Sequence, residues 1–190
     1  MTDTPENRTL DLASARGLPP EQAAFFYLGP SEQVADGVVF LSSFANVAAF
    51  ICDGSIVLVD TSVEQFTGRM LDDLRKNYSQ APVEAVVYTH GHVDHVTGAD
   101  VIIAETQSRG GPRPRIIGHR DVAPRFDRYK LLARQNDNIN RIQFNMAADA
   151  KPFSNAKLTY PDVAYDHAMD MKVGGEVFEL HHARGETDDE

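Results

Sequence analysis

The amino-acid sequence predicts a layered α/β fold, and three observations lead to that prediction. Short apolar runs separated by turn residues follow residue 33, which is typical of an antiparallel meander. An amphipathic helical segment then precedes a strand, at residues 83–89, whose apolar run indicates burial on both faces. Helical and strand segments alternate after it, as they do when helices cover a partly parallel sheet.

The first predicted strands are short and close together in the sequence. They are Val38–Leu41, Ala45–Cys52 and Ser55–Asp60. Asp53 and Gly54 separate the last two. An Asp-Gly pair between apolar runs predicts a hairpin, because its tight turn needs positive φ angles.

The first predicted helix follows these strands. Ser62 is expected to cap it, with Gln65 completing a capping box, and Asn77 is expected to end it. Its apolar face comprises Val63, Phe66, Met70, Leu71 and Leu74. The later predicted elements are helices at about residues 97–107 and 121–136, a strand at Arg115–Gly118, and strands at Val173 and Val177–His181 joined by a Gly174-Gly175 turn.

Length and composition indicate one domain. The chain has 190 residues, of which 42% are hydrophobic and 24% charged, as in an ordinary globular protein. Pro19, Pro20 and the Gly29-Pro30 pair interrupt the first segment. We therefore expect an irregular arm over residues 1–33 and one domain over residues 34–190.

Composition also restricts partners and location. A net charge of −10 argues against nucleic-acid binding, and no apolar run approaches the ~20 residues of a membrane span. The N-terminus lacks the basic start and apolar middle of a signal peptide. Cys52 is the only cysteine, so the cytoplasm is the expected location and a core position the expected role of its side chain. Residues 109–134 hold eight basic residues against two acidic ones, and could attract an anion or form a solvated surface.

Three of the seven histidines lie within six residues, in the segment His90-Gly91-His92-Val93-Asp94-His95. The segment comes directly after the buried strand. Because alternate residues of an extended chain point the same way, His90 and His92 can converge on one metal ion. Asp94 and His95 can face a second ion, and imidazole and carboxylate are ligands that zinc takes.

This HxHxDH pattern after an apolar strand resembles the signature of the metallo-β-lactamase superfamily of binuclear metallohydrolases. The resemblance covers about residues 34–190. It implies a four-layer αββα fold, of which this chain would be the N-terminal half. It also implies two divalent metal ions, expected to be Zn²⁺, with Asp94 orienting the nucleophile as well as binding metal.

The segment Ile56–Thr61 resembles the superfamily's early strand, which ends in an aspartate. That aspartate usually braces the histidine loop, so the resemblance gives this role to Asp60. The alternative is an acidic residue that only precedes the helix.

Glu186, between Gly185 and Thr187, stands where the superfamily usually has a histidine. A glutamate there resembles the alkylsulfatase branch, which implies that Glu186 is a metal ligand. His181 or His182 is the alternative ligand. These two residues are adjacent, so in a strand they face opposite ways and at most one can point into the site.

The remaining histidines and motifs have simpler interpretations. His119 ends a strand and is expected to be a core or capping residue, with substrate contact as the alternative. His167, in an acidic stretch, is expected to form a surface ion pair. A GxSxG elbow, a P-loop and a GxGxxG motif are all absent from the sequence.

The resemblance implies more ligands than this chain supplies. The superfamily fold has two similar halves, and a bridging acid and a last histidine follow the third-ligand segment. We therefore expect a fragment or a cleaved chain of a longer protein, with the C-terminal portion as a companion chain. A second copy in a homo-oligomer is the alternative.

The expected function is metal-dependent hydrolysis, with a hydroxide bridging the two ions. The branch resemblance implies a small anionic substrate, a sulfate ester of an alkyl chain. A thioester, lactone or β-lactam hydrolase of the same superfamily is one alternative. A non-catalytic metal-binding module, completed by another chain, is the other.

Overall fold

A seven-stranded mixed sheet forms the centre of the computed structural model, which describes residues 30–143 and 157–190. The strands are β1 (Glu32–Ala35), β2 (Val38–Leu41), β3 (Val47–Cys52), β4 (Ser55–Val59), β5 (Val83–Val87), β6 (Arg115–His119), β7 (Val163–Tyr165), β8 (Ala168–Val173) and β9 (Glu176–His181). The helices are α1 (Glu64–Asn77), α2 (Val93–Val96), α3 (Ala99–Ser108), α4 (Val122–Leu131) and α5 (Ala133–Gln143).

The strands follow one another across the sheet in chain order, from β1 to β7. β2 to β4 form the predicted antiparallel meander, and β1 adds a further antiparallel strand that was not predicted. Cys52 pairs with Ser55 across the hairpin, where Gly54 has a φ of 73°. From β4 to β7 the neighbours are parallel, with helices in the connections. The carboxyl ends of β4, β5 and β6 therefore lie at one edge of the sheet.

Two apolar clusters hold three layers together in the described residues. On one face of the sheet, α1, α3 and α4 bury Leu74, Ile102 and Phe126 against the strands. On the other face, the β8–β9 hairpin buries Met171 and Val173 against the strands of the large sheet. This order of helices, large sheet and small sheet confirms the expected mixed α/β fold.

The predicted capping box at the first helix is wrong. Ser62 has a φ of 60°, and its hydroxyl lies 2.7 Å from the hydroxyl of Ser43 instead of bonding the helix amides. Val63 occupies the N-cap position without a side-chain cap. The tertiary contact with Ser43 outweighs the local capping signal.

Other boundaries differ by a few residues. The predicted helix at 121–136 is two helices, α4 and α5, with a break at Leu132. β1 begins at Glu32, two residues before the predicted domain boundary, and residues 1–29 of the predicted arm lie outside the described residues. No helix in the described ranges is long and apolar enough to cross a bilayer.

Gly98 allows the close approach of α3 to the end of β4. A Cβ at this position would lie 2.1 Å from Thr67 Oγ1 and 2.4 Å from the carbonyl oxygen of Thr61. We expect Gly98→Ala to lower the free energy of unfolding by about 1–3 kcal/mol, because the backbone must shift. Gly68→Ala is the matched control. It faces open space on α1, so it should raise stability by about 0.5–1 kcal/mol. Urea unfolding measures both, and equal stability of the two variants would contradict this account of the packing.

Candidate metal centre

The histidine loop lies where β5 leaves the sheet. The amide of Asp60 donates to the carbonyl oxygen of Val87 at 2.8 Å, which ties the ends of β4 and β5 together. The chain then passes through Thr89 to His92, and α2 begins at Val93. The motif therefore occupies the carboxyl edge of the sheet, as strand-end loops of α/β folds usually do.

His90, His92 and Glu186 form a cluster whose donor atoms all lie within 4.8 Å of one another. His90 Nε2 is 2.9 Å from His92 Nδ1, and His92 Nδ1 is 3.2 Å from a carboxylate oxygen of Glu186. Solvent exposure rises across the cluster, from 3% at His90 to 65% at the Glu186 side chain. Two imidazole nitrogens and one carboxylate oxygen at this spacing fit a divalent ion such as Zn²⁺.

Asp60 determines which nitrogen of His90 is free. The carboxylate can only accept, so the Thr89 hydroxyl donates to it, at 2.8 Å. The Thr89 oxygen must then accept from His90 Nδ1, which lies 3.0 Å away. The lone pair of His90 is consequently on Nε2, the atom directed at His92.

Burial lowers the pKa of His90, and the neighbouring His95 and His92 lower it further. The ring is therefore neutral at neutral pH, which is the form that binds metal.

His95 is held by the same aspartate. Its Nδ1 donates to Asp60 at 2.7 Å, and its Nε2 lies 3.7 Å from Asp94. Burial alone would lower the pKa of His95, but the hydrogen bond and charge of Asp60 outweigh it and the pKa is raised. Asp60 is 4% exposed and also accepts the Thr89 amide at 2.8 Å. The structure thus places Asp60 against the histidine loop, and Asp94 and His95 form a pair beside the cluster.

The other histidines lie outside the cluster. His119 is buried, donates to the Asp166 carbonyl oxygen at 2.8 Å and stacks on His182 with ring centroids 4.0 Å apart. His182 Nδ1 forms a hydrogen bond with a backbone oxygen of Glu190. The His181 side chain is 66% exposed, and His167 is 89% exposed beside Asp166.

A cavity of about 620 Å³ opens beside the cluster. Three of the predicted site residues face it, together with apolar, amide and cationic side chains. The lining comprises His92, Asp94, Glu186, Phe44, Val93, Ile139, Leu158, Tyr129, Asn136, Asn140, Gln143, Lys130 and Lys157. Sequence reasoning missed much of this wall, since Phe44 carries no motif. Lys130 had a signal, its place in the basic stretch.

Most of the basic stretch is occupied by ion pairs with carboxylates. Arg113 pairs with Asp162, Arg115 with Glu84, Arg120 with Asp166 and Arg125 with Asp189, at 2.5–3.1 Å. Lys130 lies on the cavity wall, where its Nζ donates to the Tyr160 hydroxyl at 2.7 Å. Among the basic residues of this stretch, Lys130 is the one that lines the cavity.

Sequence comparison relates the chain to alkylsulfatases over short segments. It is 38% identical over 68 residues to an (R)-specific secondary-alkylsulfatase from a Pseudomonas species, which is 35% of this chain and 10% of the relative. It is 40% identical over 58 residues to a linear primary-alkylsulfatase from a Pseudomonas strain, which is 30% of this chain and 11% of the relative. The matches thus span a small part of these relatives' length.

Solved structures share the fold. BJP-1, a subclass B3 metallo-beta-lactamase of Bradyrhizobium japonicum, superposes with a TM-score of 0.59 at 18% identity, over 87% of this chain and 56% of that one. A metallo-beta-lactamase from Cronobacter sakazakii gives 0.59 at 15% identity, over 81% and 52%. A double mutant of the sec-alkyl sulfatase PisA1 gives 0.60 at 21% identity, over 80% and 27%.

The family model of the metallo-beta-lactamase superfamily matches residues 44–188, which is more than half of the chain. The matched range contains the histidine loop, Asp60 and Glu186. Members of this superfamily are hydrolases that use divalent metal ions. The chain belongs to the metallo-beta-lactamase superfamily.

Proposed function

We propose that the chain carries the metal centre of a hydrolase that cleaves sulfate esters of alkyl chains. The observation that carries the proposal is the carboxylate of Glu186, 3.2 Å from His92 at the place where histidine is usual in the superfamily. The two alkylsulfatases that are 38% and 40% identical over short segments support the same branch.

The proposed centre holds two divalent ions, with Zn²⁺ as the proposed metal. His90, His92 and Glu186 would hold one ion. Asp94 and His95 would be two ligands of the second ion. A companion chain or a second copy would fill the remaining coordination positions of that ion. Bound zinc supplies Lewis acidity and a nucleophilic water near neutral pH.

The cavity fits an amphiphilic anion. Phe44, Ile139 and Leu158 supply apolar surface for an alkyl chain. Lys130 supplies positive charge, whereas Lys157 is paired with Asp100. Each methylene that the wall covers contributes about 0.8 kcal/mol, which is about fourfold in affinity. Binding should therefore tighten as the chain of the ester lengthens, until the wall is covered.

Asp94 is the proposed catalytic residue of the chain. Its carboxylate is about one-third exposed and opens on the cavity, 3.7 Å from His95 Nε2. There it accepts a hydrogen bond from the attacking water and orients the oxygen toward the ester. One water is consumed, and the products are the alcohol and hydrogen sulfate.

The test is a hydrolysis screen on the protein purified in its native assembly, with mass spectrometry for a companion chain and elemental analysis for metal. Hexyl, octyl and decyl sulfate are compared with a thioester, a lactone and a β-lactam. We expect release of sulfate, with KM falling as the alkyl chain lengthens.

Two isoleucines of α5 provide a matched pair of variants. Ile139 lines the cavity, whereas Ile142 is 72% exposed and is not part of its wall. Ile139→Asp should raise KM for decyl sulfate at least about tenfold, equivalent to two or more uncovered methylenes, and Ile142→Asp should not. Hydrolysis of only the thioester, lactone or β-lactam would overturn the sulfatase proposal. A metal-loaded assembly that hydrolyses none of these substrates would favour the non-catalytic module.

A further inference from the structure

A buried ion pair lies against the backbone of the histidine loop. Asp189 is 0% exposed, and its two oxygens have separate partners. One accepts from Arg125 Nε at 2.6 Å, and the other accepts from the amide of Gly91 at 2.9 Å. Arg125 is 9% exposed and also pairs with Asp188. The pair therefore contacts the peptide between His90 and His92 directly.

The absence of a side chain at Gly91 is what permits this contact. A Cβ at Gly91 would lie 2.7 Å from an Asp189 oxygen, 2.9 Å from Arg125 Cδ and 3.3 Å from Phe126. The loop is packed against the ion pair as closely as its backbone allows. The position of the loop consequently depends on where the pair lies.

The same carboxylate also fixes the segment that carries Glu186. Asp189 follows Glu186 by three residues. Its hydrogen bond to Gly91 therefore joins the segment that carries Glu186 to the histidine loop, and these two segments supply the three clustered metal ligands. Arg125 anchors this junction to α4, where the adjacent Phe126 is fully buried in the core. Burial alone would lower the pKa of Arg125, but the charge of Asp189 outweighs it and the pKa is raised, so the guanidinium stays charged.

We propose that Arg125 and Asp189 are positioning residues, which set the separation between the histidine loop and Glu186 and so determine metal affinity. This inference rests on the metal site of the proposed function, but not on the substrate. Neither residue is within the donor cluster, and neither lines the cavity.

The test measures Zn²⁺ affinity in competition with a chromophoric chelator, on the full chain with Arg125→Lys, Arg125→Met, Asp189→Asn and Asp189→Ala. Arg125→Met and Asp189→Ala should weaken Zn²⁺ binding about 10–100-fold, the usual effect of removing a support behind a metal ligand. Arg125→Lys, which keeps the charge, should recover part of the loss. The effects of Arg125→Met and Asp189→Ala should not add in the double variant, because each breaks the same contact.

A spectrum and a control distinguish positioning from general stability. Co²⁺ substitution should give a visible absorption band that shifts in Asp189→Asn, because the donor geometry changes. Arg128→Met, at an exposed position of the same helix, should change neither the affinity nor the spectrum.

The outcomes separate this inference from the proposed function. If Arg125→Lys and Asp189→Asn, the variants closest in shape, fold and bind Zn²⁺ and Co²⁺ as the unchanged chain does, the inference is overturned. The same holds if only the unfolding midpoint moves. Wild-type protein that binds Zn²⁺ but leaves alkyl sulfates intact would overturn the sulfatase proposal and leave this inference standing.

Discussion

Replacing His92 with alanine is expected to weaken Zn²⁺ binding by more than about 100-fold, since loss of a ligand exceeds the effect of losing its support. His92 Nδ1 lies between its two neighbours in the cluster, 2.9 Å from His90 Nε2 and 3.2 Å from Glu186. Its removal leaves only His90 and Glu186 of the three clustered ligands to hold the ion. Isothermal titration with Zn²⁺ measures the effect.

The stability of the fold should change little in this variant, because the His92 side chain is already 31% exposed. His167→Ala is the matched control, since His167 is 89% exposed and lies outside the cluster. It should bind Zn²⁺ as the unchanged chain does. Equal affinities for the two variants would show that His92 is not a ligand.

Asp60→Ala has the second large expected effect, on stability as well as on metal affinity. It removes the acceptor of the Thr89 amide, the Thr89 hydroxyl and His95 Nδ1. Leaving buried donors without partners costs about 1–3 kcal/mol each, and alanine is also disfavoured at the φ of 67° of this residue. We expect a loss of at least about 3 kcal/mol in guanidinium unfolding, and Zn²⁺ binding about 10–100-fold weaker.

Two further variants make this expectation specific. Asp60→Asn tolerates the positive φ and keeps one acceptor oxygen, so it should lose less stability than Asp60→Ala. Asp72→Ala, at an exposed position of α1, should remain within about 0.5 kcal/mol of the unchanged chain. An Asp60→Ala protein as stable as Asp72→Ala, with unaltered Zn²⁺ affinity, would contradict the bracing role.

The elements that position the site could be predicted from the sequence, because local sequence patterns agree with tertiary packing there. The Asp53-Gly54 turn occurs as predicted, with Gly54 at a φ of 73°. The apolar run that ends at Val87 belongs to a central strand of the sheet, most of which is buried. The motif after it therefore had to lie at the carboxyl edge of the sheet, and spacing alone placed His90 near His92.

What the sequence did not reveal depends on contacts between distant segments. Ser62 has a strong local capping signal, yet its hydroxyl contacts Ser43, 19 residues earlier. Arg125 and Asp189 are 64 residues apart, and nothing in either neighbourhood indicates that they form a buried pair. The cavity wall that includes Ile139 depends on the break between α4 and α5.

The most direct measurement is anomalous diffraction at the zinc edge from crystals of the protein grown with Zn²⁺. We expect an anomalous peak about 2.0–2.2 Å from His90 Nε2, His92 Nδ1 and a Glu186 carboxylate oxygen. A peak held by His181 or His182 in place of Glu186, or the absence of any peak at the histidine loop, would contradict it.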